Sequence, residues 1–152
     1  MVTPSEFERV PYEELESAQQ ENYNYHKISA RLADFGYTTI RLYDDFEGAD
    51  FIAKHVRGKD LLKVQLKGRL TFDEKYQRDD EEDEICIAFR EGNDWYLYPH
   101  DTVFEEVVSE RDIIIGTDSW EKEGNYHREP LGTALEGILE PYRLPELDDG
   151  QS

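Results

Sequence analysis

Asp50, closing the tripeptide GAD at 48–50, and Gln65 and Lys67, within VQLKG at 64–68, are the residues of this chain whose types and spacing could do chemistry together. Residues 49–56 read as a strand, RGKD at 57–60 as a tight turn, and 61–69 as a second strand. In that second strand Leu62, Val64 and Leu66 point one way, and Lys63, Gln65, Lys67 and Arg69 the other. With Gly58 and Lys59 at the centre of the turn, Phe51 faces Leu66, Ala53 faces Val64, Asp50 faces Lys67, Ile52 faces Gln65 and Lys54 faces Lys63. A slip by one residue would set apolar positions against polar ones, so this register is expected. It gathers a carboxylate, an amide oxygen and an ammonium on one face.

That trio suits hydrolysis of a phosphodiester. Asp50 can hold Mg²⁺ or Mn²⁺ through a hard oxygen, and Gln65 can add a neutral carbonyl oxygen. A divalent cation so held polarises the phosphate and lowers the pKa of a bound water. Lys67 can orient that water and balance charge developing on the phosphate. Lys54, Lys63 and Arg69 share the face and are candidates for holding flanking phosphates of a nucleic acid. Two like charges opposed across a hairpin destabilise it, and an anion between Lys54 and Lys63 would relieve that cost. The competing account is an ordinary half-exposed strand pair whose outer face is basic.

Charge distribution sharpens the case. Positions 53–69 hold six basic residues and one acid, a local +5, whereas the other 135 residues hold eleven basic and thirty-five acidic ones, −24. A basic island on so acidic a chain is where a polyanion would have to sit. Acidity of the whole, net −19, argues against nucleic acid unless the local field decides. It fits either a surface adapted to high salt or a chain that imitates nucleic acid for a basic partner.

The elements that must position these residues are legible in outline. From Glu13 to Phe35 the pattern is helical, with Ala18, Tyr25, Ile28, Leu32 and Phe35 along one stripe and Gly36 as a C′ residue. The stripe breaks at Glu21 and Asn22, so an acid there points toward whatever the helix packs on. Strands are expected at 37–44, 85–90 and 95–99, the last two joined by the hairpin turn EGND. A short helix follows at 101–109, then RDIIIG as a strand, and a last helix opened by Pro130. DDEEDE at 79–84 reads as a solvated loop, and Cys86 as a small buried hydrophobe. His100 and Asp101 read as a core strand running into a helix start.

Ten Tyr, seven Phe and two Trp are too many for a disordered chain, and 152 residues suffice for one domain. We expect it over 1–143, with a fraying acidic tail at 144–152. The start has no basic and apolar leader, and no apolar run reaches the ~20 residues that span a bilayer. A cytoplasmic protein with no membrane partner is expected. The four histidines and one cysteine lack zinc spacing.

A helix ending in Gly, a strand, GAD opening the next strand, a tight turn and then VQLKG resembles the PD-(D/E)xK nuclease superfamily, the restriction-endonuclease-like fold. The resemblance covers about residues 20–100 and rests on a short, degenerate motif. It implies an α/β (mixed α+β) fold, a central mixed sheet flanked by helices, and a DNA endonuclease of restriction, repair or defence. Asp50 would be the metal-binding aspartate, Gln65 would occupy the acid position and also face the metal, and Lys67 would be the catalytic lysine. Glu21 would be the acid that some members place on the first helix, a further metal ligand. Ala49 stands where the motif has proline, and Gln65 where it has a carboxylate, so the site has lost a negative charge. Alternatives remain open: a non-catalytic member of the fold that binds nucleic acid or protein, or an acidic mimic, antitoxin or immunity-type protein for a basic partner. DNA or RNA as substrate, and a homodimer, also stay open.

Overall fold

The structure is a computed structural model that describes residues 2–80 and 83–147, with the backbone alone at residues 45 and 46. The chain is a mixed α+β fold built on a five-stranded mixed sheet of order β1-β2-β3-β5-β6. Its elements are α1 (Ser17–Asp34), β1 (Tyr37–Phe46), β2 (Ala49–His55), β3 (Leu61–Leu66), β4 (Leu70–Asp73), β5 (Ile85–Glu91), β6 (Asp94–Pro99), α2 (His100–Glu110), β7 (Asn125–Arg128) and α3 (Gly132–Leu139). Strands β1, β2 and β3 form an antiparallel meander, β5 joins β3 in parallel, and β6 returns antiparallel to β5.

Alternation along the strands feeds two cores. On one face Phe51, Ala53, Val64, Ala88 and Trp95 pack under Ile28 and Leu32 of α1. On the other Ile85, Ile87, Phe89, Tyr96 and Tyr98 pack against Val103 and Val107 of α2 and Leu135 and Leu139 of α3. Cys86 leans on the first core, and burial pushes its thiol up to about 12, so it stays protonated. Helix α1 starts later than its periodicity suggests, because Tyr12–Glu14 turn as a short 3₁₀ segment and Gln19 Oε1 accepts the Glu16 amide at 3.0 Å. Gly36 ends it at φ 85°, and a Cβ there would meet His55 Nε2 at 2.9 Å.

The β2–β3 register differs from the expected one by two residues. Phe51 pairs with Val64, Ile52 with Lys63, Ala53 with Leu62 and Lys54 with Leu61. The cause lies in the loop. The Val56 amide donates to Gly36 O at 2.9 Å, and His55 Nδ1 accepts from the Arg57 amide at 3.1 Å, so the chain leaves the ladder before residue 57. A shift by two preserves which side chains share a face, whereas a shift by one would invert them. Lys54 and Lys63 therefore do not oppose each other, and the expected anion between them loses its basis.

Other differences follow from side-chain chemistry. The strand expected over 61–69 stops at Leu66, and Leu70–Asp73 forms a separate two-stranded sheet with Asn125–Arg128. RDIIIG is not a strand. Asp112 Oδ1 accepts the Ile115 amide at 3.2 Å and the Thr117 hydroxyl donates to Ile114 O at 2.7 Å, folding the segment over a fully buried Ile114. The last helix begins at Gly132 rather than at Pro130. In the acidic run, residues 81 and 82 lie outside the described chain, as do 148–152 of the tail. Glu84 in that run is not merely solvated: its Oε1 accepts the Thr102 amide and hydroxyl at 2.7 and 2.8 Å, capping α2. No helix among the described residues is long and apolar enough to cross a membrane.

His100 opens α2 inside the second core, with no exposed surface. Its Nε2 accepts the Asp73 amide at 3.0 Å, which makes Nδ1 the protonated nitrogen, donating to Asp101 Oδ1 at 2.8 Å. Burial holds its pKa below the ordinary value, against the upward pull of Asp101, Asp73 and Glu84. An unfolded histidine binds protons below pH ~6.5 that the buried one refuses, so stability is full above that pH and declines as pH falls through 6.5 toward the lower folded value. His127, also depressed mainly by burial, adds in the same direction. Urea midpoints should therefore fall between pH 7.5 and 5.5, and the slope should shrink in His100→Gln; a midpoint flat across that range would contradict the buried neutral imidazole.

Candidate active site

The turn before Asp50 is the first determinant of the site. Glu47 and Gly48, at φ 54° and 85°, form a two-residue connection between β1 and β2, the tight turn that matches strand twist. Arg78 clamps this turn from outside. Its Nη2 donates to Glu47 O at 2.8 Å, its Nη1 donates to Lys75 O and Gln77 O at 2.8 Å each, and its own amide donates to Asp101 Oδ2 at 2.9 Å. The β1–β2 turn, residues 75–78 and the start of α2 are thus one hydrogen-bonded unit.

Asp50 follows at the place where β3 loses its β2 partner. Its Oδ2 accepts the Leu66 amide at 2.9 Å, while the next amide, Lys67, donates the other way to Ala88 O at 2.8 Å. The carboxylate is thereby held against the backbone between Gln65 and Lys67. A pocket of about 450 Å³ opens at this end of the sheet, lined by Glu21, Tyr25, Arg41, Asp50, Gln65 and Lys67, among others. All four residues singled out from sequence, three from the hairpin and one from α1, line this pocket. Glu21 belongs to the helix on the opposite face and joins at the sheet end, beside the point where β3 stops.

Two lining or flanking residues were not singled out from sequence. Arg41 sits on β1 opposite Phe51, its guanidinium carbon 4.9 Å from the Tyr25 ring centroid and its Nη1 donating to Asn22 Oδ1. A basic residue at an inward-facing strand position was the available clue. Tyr76 lies in a 3₁₀ turn with no periodicity to read. Its buried ring stands 5.3 Å from Lys67 Nζ, and burial first, with the Asp73 and Asp50 charges, raises its hydroxyl pKa.

The flanking cations are placed differently. Lys63 Nζ meets Glu47 at 2.7 Å and Asp83 at 3.3 Å, and the Glu47 bond leads the causes that raise its pKa. It is a strut with its charge neutralised. Lys54 is exposed beside Leu61, and Arg69, 3.9 Å from Glu129, lines an adjoining cleft with Lys67 and His127. None of the three lines the 450 Å³ pocket.

This chain matches no family model, no curated protein and no solved structure.

Among the described lining residues the formal charges are Glu21 and Asp50 against Arg41 and Lys67, with Gln65 neutral. Two carboxylates and an amide oxygen are hard donors of the kind Mg²⁺ and Mn²⁺ take, and the described lining residues include no soft ligand. The residues fit such an ion, although among the described residues no three His, Cys, Asp or Glu side chains gather as a metal group.

The Asp50–Leu66 bond makes a stability prediction. Asp50→Ala leaves a part-buried amide without its acceptor and should cost about 1–3 kcal/mol, read as a lower urea midpoint. Asp50→Asn keeps an acceptor oxygen and should lose little. Equal midpoints for wild type and the alanine variant would show that water replaces the carboxylate.

Proposed function

We propose that the protein is a metal-dependent phosphodiester hydrolase acting on DNA, of the PD-(D/E)xK kind with glutamine in the acid position. The observation that supports this is the meeting of Glu21, Asp50, Gln65 and Lys67 on one pocket, with the Asp50 carboxylate hydrogen-bonded between the other two hairpin residues.

Asp50, Glu21 and the Gln65 amide oxygen are the groups that would hold a divalent cation. When bound, Mg²⁺ or Mn²⁺ supplies Lewis-acid polarisation of the phosphate and a water of lowered pKa. Lys67 lines the same pocket as Asp50, with its ammonium on an aromatic support, to orient the attacking water and balance charge on the phosphate oxygens. Arg41 adds a second cation at the pocket wall for a non-reacting phosphate oxygen. The Asp50–Leu66 bond fixes the carboxylate before substrate arrives, so ordering it costs nothing at the moment of reaction.

Gln65 favours one second reading. With it the lining holds two carboxylates against two cations, so a site that binds nucleic acid without cutting it is the alternative. Labelled single-stranded, double-stranded and branched DNA, with Mg²⁺ or Mn²⁺ at low and high salt, separates the two. Wild type should cleave, and Lys67→Ala should lose ~10²–10³-fold, or ~3–4 kcal/mol of transition-state stabilisation, with its melt unchanged. Asp50→Asn should lose at least as much, and Gln65→Glu should keep or raise the rate at lower metal concentration. Equal cleavage by wild type and Lys67→Ala would assign the activity elsewhere. Binding without cleavage under every condition would favour the second reading.

A further inference from the structure

A second concentration of positive charge lies away from the pocket, where the sequence showed no basic run. Arg9, Lys27 and Arg90 line a cleft of about 1050 Å³ between the N-terminal segment and α1. Arg31 joins Arg9, Lys27 and Arg90 in a neighbouring cleft of about 520 Å³. Lys27 and Arg31 are one turn apart on α1, about 6 Å along its axis. Among the described residues none of these four cations forms an ion pair. In a chain with thirty-six acids and seventeen bases, four cations without a carboxylate partner are unexpected. Among the described residues the acids lining the two clefts are Glu13 and Asp34, leaving a local surplus of two positive charges.

Aromatic rings, not carboxylates, hold the central cation. The Arg90 guanidinium carbon is 4.9 Å from the Tyr12 ring centroid, 5.5 Å from Tyr23 and 5.9 Å from Trp95. Lys27 Nζ lies 5.2 Å from Tyr23. Stacking fixes a guanidinium in place while leaving its charge and its donors in the plane. The Tyr23 hydroxyl reports the field: the Arg90 guanidinium beside it, with the charges of Lys27 and Arg9, holds its pKa below the ordinary value.

The clefts connect to the candidate active site. Gly68 lines both the 450 Å³ pocket and a small cleft of about 300 Å³, where Arg69 and Arg90 stand with Glu91, Gly92 and Glu129. Arg90 and Gly92 in turn line the 1050 Å³ cleft. The path runs from Lys67 past Arg69 and around the β5–β6 turn to Arg90, Lys27 and Arg9. A duplex, stiff over about 50 nm, does not follow a bend around one hairpin, whereas a single strand does.

We infer that this path is a binding groove for single-stranded nucleic acid, with Arg9, Lys27, Arg31 and Arg90 holding phosphates several nucleotides from the pocket. The direction of the strand toward Lys67 rests on the hydrolase reading; the groove itself does not.

The test is metal-free fluorescence anisotropy with a labelled 20-nucleotide oligothymidylate, a 20-base-pair duplex and polyglutamate as competitor. The exposed double variant Arg9→Glu/Lys27→Glu should bind the single strand at least tenfold more weakly. Its log K against log salt slope should be shallower by about 1.4, since each single-strand phosphate contact contributes ~0.7. Lys27→Gln, a milder change, should move both quantities the same way by less, and urea melts of all variants should match wild type. Unchanged single-strand affinity in these variants would overturn the groove, as would tighter, equally variant-sensitive binding of the duplex. Displacement by polyglutamate at equal charge concentration would also overturn it and point to an acidic protein partner. Cleavage is scored separately. A wild type that binds through Arg9 and Lys27 but hydrolyses nothing sinks the hydrolase and keeps the groove, and cleavage with unchanged binding in the double variant does the reverse.

Discussion

The Asp50 carboxylate accepting the Leu66 amide is the interaction on which the candidate site depends. Backbone pairing between β2 and β3 runs from Lys54 and Leu61 to Phe51 and Val64, and beyond it an amide on the β2 side of β3 would go unsatisfied. A side chain supplies the missing acceptor. The strands can therefore part at this end without an orphaned donor, and the parting is what opens a pocket between sheet and helix. One carboxylate thus closes the ladder and lines the opening. Any residue that merely satisfied the amide would keep the fold, but only an acid also presents negative charge beside Gln65 and Lys67.

Holding that carboxylate in place takes a scaffold remote from it. The Glu47–Gly48 turn is fixed by Arg78, Arg78 by Asp101, and Asp101 by the buried His100, whose other nitrogen takes the Asp73 amide. Three of these links tie a charged or aromatic side chain to a backbone atom, and the fourth, His100 to Asp101, joins two side chains. Fixing backbone this way suits a short segment, residues 73–78, that has too few apolar side chains to be held by packing alone. Tyr76, buried within it, is the exception, and it is the residue that meets Lys67.

Where alternation or turn chemistry carried the signal, the sequence was legible. The helix ending at Gly36, the β1–β2–β3 meander and the β5–β6 hairpin follow from period-2 and period-3.6 patterns that local physics enforces. The β2–β3 register did not, because it was decided by a tertiary bond, Val56 to Gly36, that no local pattern encodes. The faces were still right because the error was an even number of residues. Strands β4 and β7 pair across fifty residues and are four residues each, too short for alternation to speak. Arg41, Tyr76 and the Arg90 cleft were illegible for a related reason: their partners come from distant parts of the chain. A basic run in sequence marked Lys63 and Lys67 equally, and only the fold tells them apart.

The contrast between those two lysines shows how an acidic protein keeps a usable cation. They lie on one strand path, on one face, four residues apart. Lys63 carries two carboxylate partners, and the nearer, at 2.7 Å, cancels its charge for any passing anion. Lys67 instead rests near the face of Tyr76, and among the described residues no carboxylate pairs with it. A ring attracts an ammonium by about 0.5–2 kcal/mol without neutralising it, so position is fixed while charge is kept. Arg90 is held by the same means, between Tyr12, Tyr23 and Trp95. With twice as many acids as bases, random placement would quench most cations, and salt would screen the survivors that sit exposed. Aromatic support in a cleft meets both problems at once: it occupies the space a carboxylate would take and shields the charge from bulk ions. On such a surface, the rings beneath the cations, rather than the count of basic residues, decide which positive charges stay unpaired.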